Sequence, residues 1–150
     1  MGKSVSKYLE EGSRMYEKRL KHYISYSREE VPELRFVSGM SIEQVKEKEG
    51  GLILKRVGAG DLLLLLDERG TEMSSMEFAS AIEKWSITGV KQIIFAIGGP
   101  YGFSDAVYAR ADGKLSLSKM TFPHQMAGLF FVEQLYRAMT IIKGEPYHHK

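Results

Sequence analysis

Val90-Lys91-Gln92-Ile93-Ile94-Phe95-Ala96-Ile97-Gly98-Gly99-Pro100-Tyr101-Gly102 decides the fold class. Its first eight residues are mostly apolar, the pattern of a strand covered on both faces, and its last five break any regular element. Asp61-Leu62-Leu63-Leu64-Leu65-Leu66 repeats that signature and runs into Asp67-Glu68-Arg69-Gly70, which reads as a loop. Between the two strands, Ser74 and Ser75 precede Glu77, and Met76, Phe78, Ala79, Ile82 and Trp85 recur at helical steps. On the C-terminal side, residues 105–110 read as a short helix, and 115–120 alternate as a short strand. Phe122 or Pro123 then opens a long helix from His124 to Ile142, ended by Gly144. Apolar strands alternating with helices predict an α/β domain with a parallel sheet covered on both sides. Ligands of such sheets sit beyond the carboxyl ends of the strands.

Toward the N-terminus, residues 4–24 carry an amphipathic helix, with Val5, Tyr8, Leu9, Met15, Tyr16, Leu20, Tyr23 and Ile24 on its apolar steps. Seven Lys and Arg face three Glu over residues 1–28, which suits either a solvated helix face or a phosphate-contacting one. Residues 34–37 read as a short strand. Ser41 with Gln44 resembles a capping box, opening a helix to about Val57 that Gly50-Gly51 is placed to interrupt. The 150 residues amount to one domain, 1–150, with no linker or repeat. The absence of cysteine removes disulfides, thiolate metal sites and cysteine nucleophiles. No apolar run reaches membrane-spanning length, and Met1-Gly2-Lys3 opens too polar a segment for a signal peptide. A soluble, cytoplasmic protein is expected, and the net charge of +2 does not by itself announce a nucleic-acid partner.

Three segments hold the residues that can carry chemistry. The glycines of Gly98-Gly99-Pro100-Tyr101-Gly102 let a ligand approach the main chain, or simply make a tight turn, and the spacing is neither GxGxxG nor a Walker loop. Leu115-Ser116-Leu117-Ser118-Lys119-Met120-Thr121-Phe122-Pro123-His124 ends a strand in hydroxyls and starts a helix at His124, a residue that also suits a structural cap. Tyr147-His148-His149-Lys150 closes the chain without the further ligands a metal site needs. Paired carboxylates, a Ser/His/Asp set and HExxH are all lacking, which argues against hydrolysis.

Taken in order, the glycine turn, the Leu115-to-His124 segment, Glu133-Gln134-Leu135-Tyr136-Arg137-Ala138 and Pro146-Tyr147-His148 resemble the RlmH-type methyltransferases of the SPOUT class over nearly the whole chain. The resemblance implies an α/β domain with a C-terminal trefoil knot, a homodimer built on the knot and last helix, and S-adenosylmethionine as cofactor. It also implies methylation of N3 of a pseudouridine in 23S rRNA. The cofactor residues it implies are Leu66, Gly98, Gly99, Leu117, Ser118, Lys119, Met120, Thr121 and Phe122. The residues proposed for catalysis are His148 as base, Tyr147 to position it, Arg137 for phosphate or the imide oxygen, and His124 as the alternative proton carrier. No metal is implied. Family members open with a hydrophobic strand, so the resemblance leads to the expectation that a chain starting at Met1-Gly2-Lys3 lacks it; they also often carry Glu where this chain has Tyr101. Near-neutral charge favours the assembled ribosome over bare RNA as substrate. Two competing readings are a non-catalytic ribosome- or RNA-binding protein that kept the knot, and an unthreaded doubly wound small-ligand binder.

Overall fold

The structure is a computed structural model that describes residues 7–31, 39–99 and 101–149. The strand expected at 34–37, Val5 and the first turn of the N-terminal helix, Pro100 and Lys150 lie outside the described residues. The elements run α1 (Lys7–Leu20), α2 (Ile42–Leu54), β1 (Leu62–Glu72), α3 (Ser75–Ser86), β2 (Ile93–Ile97), α4 (Asp105–Arg110), β3 (Gly113–Ser116) and α5 (His124–Ile142). The three strands form a parallel sheet in the order β2-β1-β3, as the alternation of strands and helices predicts. Among the described residues no strand precedes β1.

The leucines of β1 are explained by its central place. Leu63 and Leu65 join Ala96, Phe103 and Val107 in one core, covered by Ile53 and Leu54 of α2 and by α4. Leu66 meets the other core, where Leu20 of α1, Phe78 and Ile82 of α3, and Phe131, Val132 and Leu135 of α5 pack with Leu115. Burying such a side chain contributes roughly 1.5–3 kcal/mol, so a sheet with leucines on both faces needs helices on both.

Three boundaries differ from the sequence reading, each for a local reason. Asp67-Glu68-Arg69-Gly70 is no terminal loop, because β1 continues to Glu72. Leu66 and Thr71 both align with Leu115, so these four residues form an excursion within the strand. Gly50-Gly51 does not interrupt α2; Gly50 is buried where Ser104 and Val107 of the α4 region come close, and the helix ends at Leu54. β3 stops at Ser116 and does not run to Met120. The Ser116 hydroxyl donates to the Ser118 carbonyl and the Met120 N–H donates to Ser118 Oγ, local bonds that replace the ladder. The two C-terminal helices match the sequence reading at both ends. Ser104 Oγ accepts from the Val107 N–H at the start of α4, and Gly144, at φ 72°, follows the end of α5.

Candidate active site

Two clusters form, one at each end of α5. At the carboxyl end of the sheet, β2 passes into Gly98 and Gly99. A Cβ on Gly98 would lie 3.1 Å from the Phe103 ring, and one on Gly99 would lie 3.2 Å from Glu49 Oε2. The Gly98 carbonyl takes a hydrogen bond of 2.9 Å from His124 Nδ1, which ties the glycine turn to the start of α5. The loop between β3 and α5 is held from the β1 excursion: Thr121 Oγ1 donates to Glu68 Oε2 at 2.5 Å, and Lys119 Nζ lies 3.8 Å from Glu72. Leu66, Leu117 and Phe122 are half-buried, Phe122 packs edge-on to Phe130 at 5.1 Å, and Met120 is 76% exposed. This end therefore collects the sequence-predicted residues Leu66, Gly98, Gly99, Leu117 to Phe122 and His124.

The same excursion is fastened to α4. Asp67 Oδ2 accepts from the Tyr108 hydroxyl at 2.5 Å, and Arg69 Nη2 donates to the same oxygen of Tyr108 at 3.0 Å. Burial opposes the Asp67 charge, but hydrogen bonds from Tyr108 and the Arg69 N–H outweigh it and hold the carboxyl below its usual range. Burial, then the bond to Asp67, pushes Tyr108 up.

The second cluster lies toward the other end of α5, where the C-terminal tail folds back. Glu133 Oε1 accepts from Arg137 Nε at 3.0 Å, from Arg137 Nη2 at 2.6 Å and from the Tyr147 hydroxyl at 3.0 Å. Arg137 Nη1 is 3.1 Å from His148 Nδ1, and the guanidinium lies 4.8 Å from the centre of the Tyr147 ring. Tyr136 stacks edge-on to Tyr147 at 4.8 Å, and Tyr16 of α1 reaches the Tyr147 hydroxyl at 3.5 Å. Glu133 raises the pKa of Arg137, and burial followed by the bonds to Tyr16 and Glu133 raises that of Tyr147 well above an ordinary phenol. Both groups therefore hold their protons at neutral pH, so neither is a base.

The hydrogen-bonding role of Nδ1 in each of the two histidines follows from its partner. Arginine has no lone pair, so His148 Nδ1 accepts and its proton sits on Nε2. The Gly98 carbonyl has no proton to give, so His124 donates from Nδ1, which leaves Nε2 as the lone-pair nitrogen of the neutral ring. His124 and Arg137 are thirteen residues apart on one helix, roughly 20 Å at 1.5 Å per residue. The two clusters do not meet within one chain.

The sequence matches the family described as "Predicted SPOUT methyltransferase" over residues 1–148. The chain belongs to the SPOUT methyltransferase family. Among the SPOUT relatives, "Ribosomal RNA large subunit methyltransferase H" of Parabacteroides distasonis is 52% identical over 150 residues, 100% of this chain and 96% of that protein. The proteins of the same name from Christiangramia forsetii and Flavobacterium johnsoniae are 53% and 50% identical over the same shares.

Four polar residues at these clusters escaped the sequence reading of sites. Glu133 is the hub of the tail cluster, and its i,i+4 spacing to Arg137 was the available signal. Glu49, Glu68 and Tyr16 reach the clusters from distant elements, and nothing in their local sequence marks them.

Proposed function

We propose that this chain, as one domain over residues 1–150, is an S-adenosylmethionine-dependent methyltransferase acting on N3 of a pseudouridine in 23S rRNA. It works in the cytoplasm on the assembled ribosome, as a homodimer with a knotted C-terminal part. The observation that carries the reading is the network of Glu133, Arg137, Tyr147 and His148, in a chain whose relatives are named large subunit rRNA methyltransferases. The knot is supported by the loop 117–123, fastened on one side to Glu68 and continued on the other by a helix start tied to Gly98.

The residues at the sheet end fit the cofactor. Leu66, Leu117, Phe122 and exposed Met120 offer uncovered apolar surface for an adenine ring, beside a glycine pair that allows close approach to the main chain. The Glu49 carboxylate beside Gly99 suits a cationic ligand. When bound, the cofactor supplies an electrophilic methyl group on a sulfonium centre.

The chain's own residues handle the pseudouridine. Its N3 is protonated at neutral pH, so transfer needs a proton acceptor and donors to the developing imide anion, together worth roughly 10²–10⁴-fold. His124, whose Nδ1 is engaged with the Gly98 carbonyl, serves as acceptor through Nε2 of its neutral ring. His148, the base expected from sequence, instead presents an Nε2–H, and with Arg137 it donates to an imide oxygen. Glu133 and Tyr147 hold Arg137 in place. Because the acceptor and donors sit at opposite ends of α5, a second copy must bring its tail to the first copy's sheet end. That requirement supports the homodimer.

Ribosomes lacking the modification, incubated with protein and methyl-labelled S-adenosylmethionine, should acquire label on a pseudouridine, identified by nucleoside mass spectrometry. Protein-free 23S rRNA should be labelled poorly; efficient labelling of it would overturn the assembled-ribosome assignment. A folded protein that binds the cofactor and the ribosome but transfers no label would be a non-catalytic ribosome-binding protein.

A further inference from the structure

The outer face of α1 has no part in either cluster. Lys7, Arg14, Lys18 and Lys21 fall within about 60° of one another around the helix, opposite buried Leu9, Ser13 and Leu20. After the helix the chain turns back, so that Tyr26, Ser27 and Arg28 form the far wall of an open cleft of about 450 Å³. Arg14, Glu17, Lys18 and Lys21 line the near wall. Four cations meet one carboxylate here, whereas the whole chain carries only +2.

That carboxylate is occupied. Glu17 lies 3.5 Å from Arg28 Nε and beside the Tyr26 hydroxyl. Arg14 shares its charge with Glu10 at 2.8 Å, but among the described residues Lys18 and Lys21 make no ion pair, and both are exposed. The result is a concave surface with surplus positive charge, which suits a polyanion. From Lys7 to Lys21 the stripe covers roughly 21 Å, long enough to run past several successive phosphates of an RNA strand. A rod of evenly spaced phosphates matches that shape; a compact acidic patch on a folded protein would not need the length.

We propose that this cleft seats the phosphate backbone of the rRNA helix that carries or flanks the modified nucleotide. The partner's identity rests on the function proposed above. Tyr16, on the opposite side of the same helix, touches Tyr147 of the tail cluster. The cleft and that cluster are thus separated by one helix thickness, roughly 10–12 Å, so one RNA segment can engage both.

The test uses the full chain with Lys18→Ala/Lys21→Ala, and Lys18→Glu/Lys21→Glu as the stronger variant, both checked by thermal melting. Two probes are read: large ribosomal subunits, by sedimentation and methylation kinetics, and an RNA duplex of about 20 base pairs, by anisotropy between about 50 and 200 mM salt. The alanine pair should lower the salt slope of duplex binding by about one to two and raise KM for subunits about tenfold, with the loss in KM rather than kcat. Unchanged slope and KM would overturn the proposal. Weakened subunit binding with unchanged duplex binding would also overturn it, assigning the cleft to a ribosomal protein. Should wild-type protein bind subunits and duplex through the cleft yet transfer no methyl group, the proposed function fails while the docking surface stands.

Discussion

Arg137 is held by three neighbours, each using a different part of the guanidinium. Glu133 takes Nε and Nη2, His148 takes Nη1, and the Tyr147 ring takes a flat face. Lysine keeps the charge but has neither the fork nor the plane. Arg137→Lys should therefore lower methyl transfer by about 100-fold or more while leaving affinity for S-adenosylhomocysteine within about twofold, measured by calorimetry beside turnover. Tyr147 gives a second prediction, on stability. Its pKa lies above the ordinary value near 10 because burial and its hydrogen bonds favour the neutral phenol, whereas the unfolded chain ionises near 10. A raised folded pKa means the stabilisation is complete below pH 10 and is lost as pH climbs toward the folded value. Tyr23, pushed up to about 12 chiefly by its hydrogen bond to Glu145, acts in the same direction. Melting temperature should hold steady between about pH 7 and 9 and fall from about 10 upward, and Tyr147→Phe should flatten part of that fall. These residues were unevenly legible in sequence. Glu133 and Arg137 announce themselves by helical spacing, but Tyr16 and Tyr147 are 131 residues apart, and no periodicity encodes their meeting.

At the scale of elements, the β1 excursion links the sheet to the loop after β3. Asp67 and Arg69 face α4, while Glu68 and Glu72 hold residues 121 and 119. Gly70 makes this possible: a Cβ there would sit 2.7 Å from the Lys114 carbonyl carbon and 2.8 Å from the Leu115 nitrogen. Main chain cannot move aside as a side-chain end can, so Gly70→Ala should cost roughly 3 kcal/mol, the upper end for overpacking. It should also weaken S-adenosylhomocysteine binding, since β3 leads into residues 117–122. Denaturant unfolding and calorimetry measure the two effects. Gly51→Ala is the contrast: nothing lies within 4 Å of the added atom, and alanine at a helix-interior glycine should stabilise by up to about 1 kcal/mol. The sequence showed α4 and α5 at their true limits because serine, proline and glycine punctuate chain locally. It hid the excursion because Asp67-Glu68-Arg69-Gly70 has the composition of a turn, and only pairing with Leu115 makes it part of a strand. The unbroken α2 was hidden for a similar reason: a glycine buried against another element has the same letter as one that ends a helix.

At the scale of the molecule, the roughly 20 Å between His124 and Arg137 is the fact that any mechanism must accommodate. The alternation of strands and helices made the parallel sheet legible, and family motifs made the residues legible. Neither gave the separation, since motifs are read along the chain and a distance in space is not. The sheet end has surface to spare for a second copy: Met120 is 76% exposed, and Phe130 and Tyr101 are 41% and 40% exposed. If one copy supplies the glycine turn and His124 and the other supplies Arg137, Tyr147 and His148, two inactive variants can repair each other. Arg137→Lys damages only the tail end, and His124→Ala damages only the sheet end. In a mixed dimer, one of the two sites would draw its sheet end from the first variant and its tail from the second, and so be intact. The other site would carry both defects. Random exchange makes half of the dimers mixed, so activity should return to about one quarter of wild type after the variants are denatured and refolded together. Each variant refolded alone should stay inactive. No recovery, with sedimentation showing mixed dimers formed, would place both ends of the chemistry within a single chain and remove the argument for a shared site.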